Sequence, residues 1–257
     1  MAYIPLYNIP TFLKDPDLVA YYRFEDNVKN EAGTKEDVLS GVTFDDTDGV
    51  PGCGKFAHFT SGDFVTLDKS INLMNEGNIT IMCWVKLVSG STAYQCFINM
   101  GYDGYFVQTY LGTDPNGTGN KVLFGQYQAD LDAWKFGEAG AVLSNNTWTH
   151  CVGTWDGATW KLYIGGVLQG TTGADARALR ACSRAYTLGK SGAPWGDNFL
   201  VGDLDEVCIL KRLLSATDIA NIVAGTYTPP AFALAGTENK LKFPRRTRVP
   251  GIITGLE

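Results

Sequence analysis

The stretch WTHCVGTWDGATWKLYIGGVLQG, residues 148–170, constrains the fold of this chain more than any other. Asp156-Gly157 and Gly165-Gly166 separate three short runs rich in aromatic and β-branched residues. Such dipeptides suit two-residue hairpin turns, whose positive φ glycine adopts without steric cost. The run therefore predicts strand, turn, strand, turn, strand. In the first strand, Trp148, His150, Val152 and Thr154 share one side, and Thr149, Cys151, Gly153 and Trp155 share the other. Neither set is a solvent face, so the strand is expected to be covered on both sides. These tryptophans are read as interior rather than as a ligand platform.

The rest of the chain repeats this grammar. LVAYYRF (18–24), GKFAHFTSGDFVTL (54–67), NITIMCWVKL (78–87), AYQCFINMG, GYFVQTYLG, KVLFGQYQA, AYTLGK and FLVGDLDEVCIL read as strands between Gly, Asp and Asn turns. The one helix expected is SATDIANIVAG, with Ser215 as N-cap, Asp218 three residues on and Gly225 closing it. Many strands, hairpin turns and one late helix predict an all-β fold: an antiparallel two-sheet jelly-roll sandwich with one short C-terminal helix. Three regions follow: an extended N-terminal arm at 1–17, the sandwich at 18–228 and an extended basic arm at 229–257.

Composition excludes several functions. Of 257 residues, 45% are hydrophobic and 19% charged, as for a packed domain, and no apolar run approaches the roughly 18 residues of a membrane span. The net charge of −6 argues against nucleic acid as the main ligand. The basic segment KLKFPRRTR (Lys240, Lys242, Arg245, Arg246, Arg248) reads either as a solvated tail or as an arm docking on an acidic partner. Six cysteines show no CxxC pair; the four inside apolar runs read as core residues, and the thiols read as reduced, with a disulfide the alternative if the protein works outside a cell. The start of the chain lacks a basic segment followed by an apolar one, so no secretory signal is expected.

The segments YYRFED, GKFAHFTSGDFVTL, ITIMCWVKL, NTWTHCVGTWDGATWKLYIGGVLQG and FLVGDLDEVCILKRLLSATDI resemble, in this order, the concanavalin A-like lectin/glucanase superfamily in its laminin-G-like branch. The resemblance covers about residues 18–224. It departs from the family pattern at Trp155, Gly165-Gly166 and Leu204, without disturbing the fold. It implies two packed curved sheets, commonly with a structural calcium, and no particular activity. For calcium it points to Asp205 with Glu25 and Asp26. A carboxylate tying a loop to the sheet end is the plainer alternative, and no other cofactor is expected.

Chemistry is sparse. In GDLDEV (202–207), Asp203 and Asp205 alternate onto one strand face and Glu206 onto the other, so the glucanase-like carboxylate pattern is incomplete. LGKS (188–191) lacks the upstream glycine of a phosphate loop. His58 and His150 read as sheet histidines. For glycan binding the candidates are loop aromatics beside acids: Trp134 with Asp130 and Asp132, and Trp195 with Asp197. The expectation is a non-catalytic structural or adhesion module of a phage virion, in the capsid decoration or tail. It would be made in the host cytoplasm, oligomeric within its assembly, and in contact with other virion proteins through its arms and with a cell-surface glycan through these loops. A glycan-active hydrolase of the same fold is the alternative. Removal of residues 1–15 or 231–257 is expected to spare folding but impair assembly.

Overall fold

The structure, a computed structural model, describes residues 13, 15–33, 37–71, 73, 76–88, 95–102, 107–113, 120–128, 133–172, 185–191 and 198–228. Two antiparallel sheets form the body. In order across the first lie β13 (Val167–Thr171), β12 (Trp160–Ile164), β11 (Thr149–Trp155), β6 (Ile79–Leu87), β15 (Gly202–Leu210), β4 (Phe56–Phe59) and β3 (Thr43–Asp45), with β1 (Leu18–Tyr22) also on β15. The second runs β10 (Ala133–Val142), β9 (Lys121–Gln128), β8 (Val107–Thr113), β7 (Cys96–Tyr102), β14 (Thr187–Leu188), β5 (Phe64–Thr66) and β2 (Val38–Ser40). The expected all-β sandwich is what forms.

The hairpin stretch behaves as its glycines dictate: Gly157, Gly165 and Gly166 all have positive φ. The Asp156 carboxylate closes the first turn by accepting from the Thr159 amide at 2.7 Å. β11 is covered on both sides. Cys151 and Trp155 face the inter-sheet core, and Val152 lies in a second apolar cluster on the outer face. Between the sheets, Trp155 stacks on Trp160 at 5.4 Å, and Trp160 meets Phe124 of the opposite sheet edge-on at 5.2 Å. Gly153 makes room for that ring, since a Cβ there would lie 2.2 Å from Phe124. These tryptophans hold the sheets together.

The outer face of the first sheet is roofed by α1 (Ala216–Val223), which buries Ile219 and Ile222 beside Tyr163, Val152 and Met82. Its N-terminus is a full capping box: Ser215 Oγ accepts from the Asp218 amide at 3.1 Å, and Asp218 Oδ2 accepts from the Ser215 amide at 3.0 Å. Gly225, at φ 70°, ends the helix as expected.

One expected boundary moves. Asp15, within the segment read as an arm, is buried and receives Arg212 through Nε at 3.0 Å. Arg212 also reaches Tyr227. This links the chain before β1 to the segments flanking α1, so the sandwich engages its N-terminal segment from Asp15 onward. Residues 1–12 and 229–257, including the basic run, lie outside the described residues.

Candidate functional site

The point of chemical interest lies midway along β15. Along one side β15 pairs with β6. Along the other, β4 accompanies Gly202–Leu204 and β1 accompanies Val207–Leu210. Asp205 and Glu206 fall where one neighbour ends and the next begins. The register with β6 slips there, and Glu206 takes φ 50°, an uncommon left-handed conformation for a side-chain-bearing residue.

This bulge corrects the alternation expected for GDLDEV. Leu204, Val207 and Ile209 belong to the inter-sheet core, whereas Cys208 and Leu210 belong to the outer cluster. A regular strand would send Glu206 inward with Leu204. The extra residue instead returns Val207 to the core and keeps Glu206 on the outer side with Asp205. Both are fully buried.

Two chain segments close over them. The chain leaving β1 supplies Arg23 and Glu25, and the chain entering β4 supplies Cys53 between two positive-φ glycines, Gly52 and Gly54. A Cβ on Gly54 would lie 2.1 Å from Glu25 Oε1, so the close approach of Glu25 requires glycine there. The Cys53 sulfur and one oxygen each of Asp205 and Glu206 lie within 4.8 Å of one another. Tyr21 donates its hydroxyl proton to Glu206 Oε2. Arg23 Nε stands 3.8 Å from Glu206 Oε1, and its Nη2 bonds Glu25 Oε1 at 3.1 Å. Asp205 Oδ1 accepts the Glu206 amide at 2.8 Å, and its buried Oδ2 has no hydrogen-bond partner.

The electrostatics follow from burial. Desolvation, then the neighbouring Glu206 charge, pushes the Asp205 carboxyl well above the usual carboxylate range. Glu206 is pushed up to about 8 by burial, against the opposing pull of Tyr21 and Arg23. Burial and both carboxylates push the Cys53 thiol up as well.

The calcium set expected from the resemblance does not assemble. Asp205 is central and Glu25 stands beside it, but Asp26 turns away to Lys55 Nζ at 2.7 Å, its side chain 66% exposed. Calcium takes six to eight oxygens. Among the described residues, the side-chain donors gathered with Asp205 are the Glu206 carboxylate and the Cys53 sulfur, while the Glu25 carboxylate is engaged by Arg23. The fit to calcium is poor.

Asp203, also on the outer side, has two side-chain partners: Oδ1 lies 2.6 Å from His58 Nδ1, and Oδ2 lies 3.0 Å from Lys86 Nζ. Lys86 in turn lies over the rings of Phe56 and Trp148 at 4.8 and 5.1 Å. His58 therefore does have a carboxylate partner, contributed from 145 residues away. His150 is buried against Trp84 at 5.1 Å, and desolvation lowers its pKa to about 3.

Of the glycan candidates, Trp134 lies within β10, in register with Tyr127 of β9, rather than in a loop. The alternation of Trp134 and Phe136 with Lys135 and Gly137 outweighs the flanking acidic and glycine residues. Asp130, Asp132, Trp195 and Asp197 lie outside the described residues. Sequence reasoning missed Cys53, Glu206, Arg23 and Tyr21 as a cluster. Only the Gly-Cys-Gly at 52–54 offered a local signal.

Comparison with known proteins agrees with this architecture. The chain is similar to domain 4 of AbnA, a GH43 extracellular arabinanase from Geobacillus stearothermophilus solved in complex with arabinotriose. The TM-score is 0.66 at 18% identity, covering 82% of this chain and all of that one. It is similar to the binding domain of Paraclostridial Mosquitocidal Protein 1 at TM-score 0.61 and 16% identity, over 82% of this chain and 52% of that one. It is also similar to a botulinum neurotoxin type C structure, whose cell entry depends on two ganglioside molecules, at TM-score 0.58 and 14% identity, over 85% and 53% of the chains. No curated protein matches in sequence. The family model described as the concanavalin A-like lectin/glucanases superfamily, of laminin G type, matches residues 59–220. That match spans more than half of the chain, which therefore belongs to the concanavalin A-like lectin/glucanases superfamily.

Proposed function

We propose that this chain is a non-catalytic glycan-binding module that serves as a structural or adhesion component of a larger assembly. One observation carries the non-catalytic part: among the described residues of the closing strand, no carboxylate is open to a substrate. Asp205 and Glu206 are fully buried under the chain segments that enclose them. Asp203 is nearly as buried and held by His58 and Lys86. A glycosidase needs two carboxyls flanking a bond it can reach.

Binding is supported by the company the fold keeps, since the similar structures include a domain solved with arabinotriose and toxin binding domains. Trp134 on β10 and Trp195 are the residues assigned to sugar stacking, with Asp130, Asp132 and Asp197 on hydroxyls. In the finer reading the assembly is a phage virion, and the basic arm with Lys240, Lys242, Arg245, Arg246 and Arg248 docks on an acidic neighbour.

The test is a glycan array probed with the full chain, followed by titration of any ligand against Trp134→Ala and Trp195→Ala. Retention of an intact oligosaccharide, weakened at least tenfold by either substitution, supports the reading. Cleavage of the bound glycan, or no ligand on a broad array, removes it.

A further inference from the structure

The cluster at the β15 bulge has a composition that its fold alone does not require. Two carboxylates are wholly enclosed. One guanidinium faces them from one side, at 3.8 Å from the nearer oxygen. Glu25 adds a third acidic group at the rim. A buried carboxyl oxygen without a hydrogen-bond partner is costly, and Asp205 Oδ2 and Glu206 Oε1 are both in that position beside a guanidinium shared with Glu25. Asp205 Oδ2 is buried and unpartnered, and an oxygen of the same carboxyl lies within 4.8 Å of the Cys53 sulfur and of a Glu206 oxygen.

We infer that Cys53, Asp205 and Glu206 form a binding site for a thiophilic divalent cation of the zinc class. Zinc binds a Cys sulfur at about 2.3 Å and carboxylate oxygens at about 2.0–2.2 Å with four ligands in all, so these three donors leave the fourth position to a water. Three donors within 4.8 Å of one another can reach that spacing by small side-chain rotations. The bulge at Glu206 and the glycines flanking Cys53 bring the donors in from distant parts of the sequence, which is the order a structural metal would lock. A bound cation would also give Asp205 Oδ2 and Glu206 Oε1 the partner that no described residue supplies, each ligand releasing its proton as the ion enters. Loading requires the chain to fold around the ion, because all three ligands are buried in the finished domain.

The experiment uses the full chain, unfolded with a chelator and refolded with cobalt, zinc or calcium as separate arms, beside Cys53→Ser. The expected result is one equivalent of cobalt with a thiolate-to-metal charge-transfer band that Cys53→Ser abolishes. Zinc should displace it, with affinity falling in the variant by more than the roughly 10–100-fold that an outer-sphere partner is worth. Should Cys53→Ser fail to refold, the presence or absence of the thiolate band in the unmodified chain decides alone. Calcium binding that is equally tight in both proteins, with no thiolate band, would mark an all-oxygen site and overturn the inference. Refolding in chelator with no uptake of any of the three ions overturns it too.

Discussion

Gly153 offers a sharp test of how the two sheets meet. A Cβ at this position would sit 2.2, 2.3 and 2.5 Å from three carbons of the Phe124 ring. Carbon atoms normally approach to about 3.5–4.0 Å, so the ring would have to retreat by more than an ångström. It has nowhere to go, being fully buried with Trp160 against its edge at 5.2 Å. Overpacking of this kind costs about 1–3 kcal/mol and sometimes more. With backbone on one side and a pinned aromatic on the other, Gly153→Ala should lie at the upper end, about 3 kcal/mol. In a domain of this size that lowers Tm by roughly 6–12 °C. Urea unfolding followed by tryptophan fluorescence gives the number directly. Phe124→Leu should cost stability alone yet recover part of the loss in Gly153→Ala, because it removes the colliding ring carbons. A change below about 0.5 kcal/mol in Gly153→Ala, or strict additivity in the double variant, would refute this packing.

Other expectations follow from single contacts. His150 is neutral and buried, with its pKa lowered to about 3 from an unfolded value near 6.5. The unfolded chain therefore binds a proton that the native chain refuses, and stability falls as pH drops from about 6.5 toward 3. The loss is of the order of 4 kcal/mol, and a flatter acid limb in His150→Phe would show it. Asp15→Ala leaves the Arg212 guanidinium half-buried without its carboxylate and should cost about 2–3 kcal/mol by thermal or urea unfolding. Deletion of residues 1–12 should leave the midpoint unchanged, while deletion through Asp15 lowers it. Ser215→Ala removes the capping box of α1 and should cost about 1 kcal/mol. Cys53, Cys83, Cys96, Cys151 and Cys208 are buried, so a thiol reagent should label them only after denaturation.

The sandwich was legible because its signals are local. Alternation and the turn glycines 157, 165 and 166 place the hairpins, and Ser215 with Asp218 announces the helix. The cluster at β15 was not legible, because a bulge has no sequence period. Shifting one residue at Glu206 reverses the face assigned to it, and nothing in GDLDEV reveals the shift. Cys53, Arg23 and Tyr21 reach the cluster from other segments, and their spacing along the chain carries no motif. His58 and Asp203 pair for the same non-local reason, through the register of β4 with β15. Trp134 was misplaced by its acidic neighbours, although its own alternation with Lys135 marks a strand. Asp15 reads as arm because residues 1–17 carry three prolines and no clear period, whereas its ion pair with Arg212, across the sequence, ties it to the domain.

Binding without cleavage is what separates a glycan-binding module from a hydrolase of the same fold. The measurement that tests it most directly is calorimetric titration of the full chain with the best array ligand, with the recovered oligosaccharide analysed by mass spectrometry after prolonged incubation. Saturable binding that Trp134→Ala or Trp195→Ala weakens is expected, with a ligand recovered at its original length. Shortened oligosaccharide accumulating with time, in proportion to protein and abolished by Asp203→Asn, would contradict it.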